Sequence, residues 1–139
     1  MRDDNCIFCK IAAGEIPSET VYEDEKFRAI LDLGPASAGH TLIMPKEHFE
    51  DLTKLEDDYA EEVLKVAAKI GKAMKEGLGC EGFNIVQNNG EAAGQTVMHF
   101  HIHVIPRYAQ GEEMVVWNPK PAKKEELEAL GAKIRESLK

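Results

Sequence analysis

The sequence predicts an α+β domain built on a mostly antiparallel sheet, with one long helix and a C-terminal helix. Short strand-like runs recur between tight turns, and a single long stretch has helical periodicity. The links between these segments are short. At 139 residues the chain fits one domain spanning 1–139, and it contains no internal repeat, linker or low-complexity stretch.

Taken in order, Ile7 to Ala13 reads as a short helix ended by Gly14 and the Ile16-Pro17 break. Strands follow at Thr20 to Glu23 and Phe27 to Leu31, around the charged turn Asp24-Glu25-Lys26. Gly34-Pro35 and Gly39 interrupt the chain before a strand at Thr41 to Met44, closed by Pro45. Glu56 to Leu78 is the long helix. Its apolar stripe is Ala60, Val63, Leu64, Ala67, Ile70, Gly71, Met74 and Leu78. Its acids come first and its lysines later, an order that suits the helix dipole, and Gly77 and Gly79 supply the stop. Phe83 to Val86 is a strand, 88–95 a polar glycine-bearing loop, and Val97 to Pro106 a strand again. Ala122 to Leu138 closes the chain as a helix with Leu127, Leu130, Ile134 and Leu138 on one side.

Charge and cysteines narrow the function. Seventeen Lys and Arg against 25 Asp and Glu leave a net charge of −8. So acidic a chain is a poor clamp for a nucleic-acid backbone, which needs clustered cations. It can still hold a small phosphorylated molecule through neutral donors. The N-terminus lacks a signal-peptide pattern, and no run approaches the roughly 18 apolar residues of a membrane span. A soluble, cytoplasmic protein without membrane partners is expected. Cys6, Cys9 and Cys80 make no disulfide framework, and the Cys6-x-x-Cys9 pair reads as half a metal site or a redox pair.

Three of the five histidines fall within five residues, in His99-Phe100-His101-Ile102-His103-Val104-Ile105. Strand alternation sends Phe100, Ile102 and Val104 into a core and the three imidazoles to the other face, about 7 Å apart. A solvent-facing strand favours Thr, Lys or Glu, so a plain edge face explains the pattern poorly. Metal binding and catalysis both remain. A neutral imidazole is a nucleophile toward phosphorus, and a neighbouring one can donate to a leaving group. The preceding loop favours catalysis: Asn88, Gly90, Gly94, Gln95 and Thr96 offer amide, hydroxyl and backbone donors, with glycines allowing close approach to a phosphate.

The stretch from Gly94 to Ile105 resembles the signature of the histidine triad (HIT) superfamily of nucleotide hydrolases and transferases. So do Cys6-Ile7-Phe8-Cys9-Lys10-Ile11, Gly14-Glu15-Ile16-Pro17, Leu31-Asp32 and Gly39 to His48, in order along residues 5 to 107. The resemblance implies a HIT-like fold and cleavage at the α-phosphate of a purine nucleotide or nucleotide conjugate, either a dinucleoside polyphosphate or a nucleoside phosphoramidate. His101 would attack phosphorus and form a nucleotidyl-histidine, with His103 on the phosphate or leaving-group side. Gly94, Gln95 and Thr96 would hold phosphate oxygens and Asp32 the ribose. Phe8, Ile11 and Leu33 would pack around the base, with Asn88 and His40 as further pocket residues.

The resemblance also implies structural zinc on Cys6, Cys9, His48 and His99, which would withdraw His99 from the catalytic triad into a supporting role. A homodimer is implied as well. Gly94-Gln95-Thr96-Val97 and Ile105-Pro106-Arg107 look like the dinucleoside-polyphosphate branch, whereas the amino end looks like the phosphoramidase branch. Thr96 stands where many phosphoramidases have Ser. Met114, Trp117 and the last helix match no branch. The alternative function is a nucleotide-binding signalling module with incidental hydrolysis, and transfer to an acceptor other than water is a third.

Overall fold

Asp24 makes the first hairpin: its carboxylate accepts from the backbone N–H of Lys26 at 2.8 Å and of Phe27 at 2.7 Å. That turn joins β1 (Thr20–Glu23) to β2 (Phe27–Leu31), and β3 (Thr41–Pro45), β4 (Gly82–Val86) and β5 (Ile102–Arg107) complete a five-stranded sheet. The order is β1-β2-β3-β5-β4, antiparallel throughout. This computed structural model describes residues 1–111 and 117–138, so Met114 lies outside the described residues.

One helix layer lies on each face. α2 (Asp57–Leu78) packs on β3, β4 and β5, and α1 (Ile7–Ala12) packs on β3. Hence β3 is buried along its whole length: Ile43 joins Phe27, Ala29, Phe100, Ile102 and Val104 beneath α2, while Leu42 and Met44 join Phe8, Ile11 and Ile30 beneath α1. A strand covered on both sides reads as a continuous apolar run, as Thr-Leu-Ile-Met-Pro does.

The structure departs from the sequence expectations in three places. The last strand begins at Ile102, not Val97, and residues 97–99 bend. The β3–β5 register pairs Ile43 with Ile102 and would set Pro45 opposite Phe100. Proline has no N–H to offer there, so the ladder stops and Phe100 N–H instead donates to Phe49 at 2.6 Å. In α2 the buried stripe is Tyr59, Val63, Val66, Ala67, Ile70, Gly71 and Met74, leaving Ala60, Leu64 and Leu78 exposed. The buried face is turned from the expected one because Tyr59 and Val66 pack against the sheet. Finally, α3 (Lys124–Ser137) buries none of its residues, and Leu127, Leu130, Ile134 and Leu138 are all exposed.

Two glycines of α2 make opposite expectations. A Cβ on Gly71 would strike the Phe83 ring, with two of its carbons 2.7 Å away, whereas a Cβ on Gly77 meets nothing within 4 Å. Gly71→Val is expected to lower stability by about 1–3 kcal/mol through overpacking. Gly77→Ala is expected to raise it by roughly 0.5–1 kcal/mol through helix propensity. Urea unfolding of both variants checks the pair.

Candidate functional site

The imidazoles gather on the α1 face of the sheet, and backbone groups set the tautomers of His99, His101 and His40 directly and that of His103 through His40. His99 is fully buried, and its Nε2 lies 2.9 Å from the Pro45 carbonyl. A carbonyl only accepts, so Nε2 carries the hydrogen and Nδ1 keeps a lone pair. His101, 7 % exposed, turns its Nδ1 to the His99 carbonyl at 2.7 Å. Nδ1–H is therefore the donor, and the Nε2 lone pair is left for an incoming electrophile. His40 Nδ1 accepts from Ala36 N–H at 3.0 Å, so its hydrogen sits on Nε2, which faces His103 Nδ1 at 2.9 Å. That bond in turn leaves His103 with a hydrogen on Nε2.

Burial keeps these rings neutral. It pushes His99 and His103 down to about 4, the His103 shift reinforced by the neighbouring His101 and His40. His101 and His40 are lowered for the same reason. The ring centres of His101 and His103 lie 5.1 Å apart, nearer than the backbone repeat of a strand, and those of Phe8 and His101 lie 4.9 Å apart with the rings nearly perpendicular. A neutral nucleophile beside a neutral donor suits attack on a phosphate.

Cys6, Cys9, His48 and His99 form a second cluster, with all four ligand atoms within 4.8 Å of one another. Cys6 Sγ lies 3.4 Å from His99 Nδ1, and Cys9 Sγ lies 3.4 Å from His48 Nδ1 and 3.5 Å from His99 Nδ1. Tetrahedral zinc with two sulfur and two nitrogen ligands has edges of about 3.5 Å between such atoms. The ring nitrogen that His99 offers is the one bearing the lone pair. Burial pushes the Cys9 thiol up, so without a cation the sulfur keeps its proton. The donor set fits zinc in kind, number and spacing.

Asp32, His40 and His103 also approach one another, with His40 Nε2 3.5 Å from the Asp32 carboxylate. Here the tautomers oppose a metal. The nitrogen His40 turns inward carries a hydrogen, fixed by Ala36 on the far side of the ring. This group is a hydrogen-bond chain.

The other expected pocket residues are divided. Asp32 borders the chain and accepts from Gly34 N–H at 2.8 Å. Phe8 and Ile11 form the buried face of α1, but Leu33 is fully exposed and does not pack with them. Asn88 is half-buried and Thr96 exposed, and Gly94 turns the loop at φ +95°. Gln95 is buried, and its side chain bonds to backbone groups of Glu50, Gly90 and Val97, so its amide is committed within the protein. Pro45 and Ala36 escaped sequence reasoning because each acts through a main-chain atom. The proline after a strand and the Gly34-Pro35 break were the available signals.

The HIT domain family matches residues 13–110. The chain belongs to the HIT domain family. A crystal structure of a HIT family member from Bacillus subtilis superposes with a TM-score of 0.90 at 42% identity, covering 98% of this chain and 99% of that one. The adenosine 5'-monophosphoramidase of Schizosaccharomyces pombe is 40% identical over 97% of this chain and 99% of its own. A Zn-bound histidine triad family protein from Mycobacterium smegmatis is 38% identical with a TM-score of 0.74, covering 96% of this chain and 97% of its own. The metal-type cysteines, Cys6 and Cys9, precede the matched HIT segment.

Neutral buried imidazoles make this HIT protein acid-sensitive. Folded values below the ordinary value near 6.5 mean that the unfolded chain takes up protons first as pH falls. The stabilising contribution is whole above about 6.5 and is lost as pH falls toward about 4. The denaturation midpoint is expected to drop across that window, and less steeply in His103→Asn. Equal slopes in the two proteins would count against a neutral His103.

Proposed function

We propose that this HIT protein hydrolyses purine nucleotide conjugates at the α-phosphate, with adenosine 5'-phosphoramidates as the favoured substrate class. The observation that carries the proposal is the His101 tautomer: Nδ1–H is held by the His99 carbonyl at 2.7 Å, which leaves the Nε2 lone pair to attack. As the Nε2–P bond forms and the bond to the leaving group breaks, positive charge grows on the His101 ring. The His99 carbonyl opposes Nδ1–H and stabilises that charge. The leaving nitrogen departs with a proton taken up from solvent, while His103 hydrogen-bonds the phosphate or leaving-group side through Nε2–H and keeps that hydrogen. Water then cleaves the nucleotidyl-His101 bond, which restores the neutral imidazole and returns a proton to solvent. Asp32 accepts from the ribose hydroxyls, Thr96 and Asn88 donate to the phosphate, and Phe8, Ile11 and Leu33 border the base. The extensive similarity to a phosphoramidase favours P–N over polyphosphate cleavage.

His101→Ala is expected to lower turnover on the order of 10³-fold or more while nucleotide affinity stays near wild type. Steady-state rates on phosphoramidates beside dinucleoside polyphosphates, with calorimetric binding of AMP, check this. Turnover retained in the variant would sink the covalent route.

We propose further that Cys6, Cys9, His48 and His99 hold zinc, supported by their fit and by the zinc-bound relative. The ion would supply folding free energy by fastening α1 to the histidine segment. Protein purified without added metal is expected to carry about one equivalent of zinc, and Cys9→Ser less than about a tenth, with a lower Tm. Metal analysis and a thermal melt decide it. The homodimer and cytoplasmic location belong to the same proposal. The exposed apolar stripe of α3 supports pairing.

A further inference from the structure

The family resemblance makes Gln95 a phosphate donor, but its surroundings give it different work. The residue is 3 % exposed. Its Oε1 accepts from Gly90 N–H at 2.7 Å, and its Nε2 donates to the carbonyls of Glu50 at 2.8 Å and Val97 at 3.0 Å. The orientation of the amide is unambiguous, because a backbone N–H only donates and a carbonyl only accepts. Its own backbone N–H donates to the Gly90 carbonyl at 3.1 Å. Both side-chain donors and the main-chain donor are thus used inside the protein.

These bonds join three segments. They close the turn from Gly90 to Thr96, they tie it to the bend at Val97, and they anchor both to Glu50 beyond the end of β3. A second fastening runs alongside, from Leu52 N–H to the Asn89 side chain at 2.8 Å. The closed turn also brings Asn88 against Gly94, where a Cβ would stand 3.7 Å from the Asn88 amide nitrogen. Asn88 is half-buried and Thr96 exposed, and the buried Gln95 lies in the same loop as both.

We propose that Gln95 is a positioning residue: its amide clamps the loop of residues 88–97 to the Glu50 segment, and it acts on the substrate only through Thr96 and Asn88. Among common side chains, only a planar amide supplies one acceptor and two donors together, and Asn falls one methylene short of the span. The catalytic part of the proposal rests on the hydrolase reading above. The clamp itself does not.

Three substitutions separate the clamp from direct phosphate contact. Gln95→Glu keeps the shape and the acceptor but loses both donors. Gln95→Met keeps the bulk and loses all three bonds. Gln95→Lys supplies a cationic donor without an acceptor. Each is expected to speed amide hydrogen exchange in residues 88–97 by about tenfold or more, while α2 and β3 keep their protection. Each is expected to lower kcat/KM on an adenosine phosphoramidate by roughly 10- to 100-fold. Thr96→Ala is expected to cost much less in the Gln95→Glu background than alone, as for residues acting as a unit.

Wild-type exchange in residues 88–97 of the Glu and Met variants would overturn the clamp, whatever the protein hydrolyses. Near-normal kcat/KM in Gln95→Lys, or full additivity with Thr96→Ala, would show direct phosphate contact and overturn it equally. Absence of turnover in the wild-type protein would defeat the hydrolase reading, and the exchange data would still judge the clamp.

Discussion

The site depends on the carbonyl of Pro45. As the last residue of β3, Pro45 has no N–H for the ladder, so the chain opposite is released from strand geometry. Its carbonyl is then taken by His99 Nε2, which turns the other nitrogen toward the thiols. Freed from the ladder, the His99 carbonyl accepts from His101 Nδ1 and decides which nitrogen of His101 is bare. One missing donor therefore orients two histidines in sequence. The Cys6, Cys9, His48 and His99 cluster and the His101 ring share that origin.

A second backbone group does the corresponding work from the other side. Ala36 N–H fixes His40, and His40 fixes His103. The segment that carries Ala36 is held to the end of the sheet by Ser37 Oγ on the Pro106 carbonyl at 2.6 Å and by the Tyr108 hydroxyl on the Ala38 carbonyl at 2.6 Å. Main-chain atoms govern both ends of the histidine row. Side-chain identity alone does not reveal such control.

Much of this architecture was legible in the residues. The alternation of Phe100, Ile102 and Val104 against the histidines assigned the two faces of the sheet, and those three side chains are in the core. The turn at Asp24 and the positions of the first four strands followed from local chemistry. What escaped depended on register or tertiary packing. The early end of the ladder appears only once Pro45 is set across from Phe100. The α2 stripe shifts because Tyr59 and Val66 meet the sheet, a packing outcome that a weak local pattern does not decide. Gln95 looks like a surface donor in a polar loop until Glu50 is brought against it.

The neutrality of the histidines reaches beyond their tautomers. Under the proposed function, uncharged imidazoles, amides and a hydroxyl would hold the phosphate, and the chain's −8 charge opposes any long-range pull on an anionic ligand. Recognition is confined to distances at which hydrogen bonds form. Nucleotide capture under that reading would be a short-range event that added salt eases by screening the −8 charge, in contrast to proteins that gather phosphates with lysine and arginine.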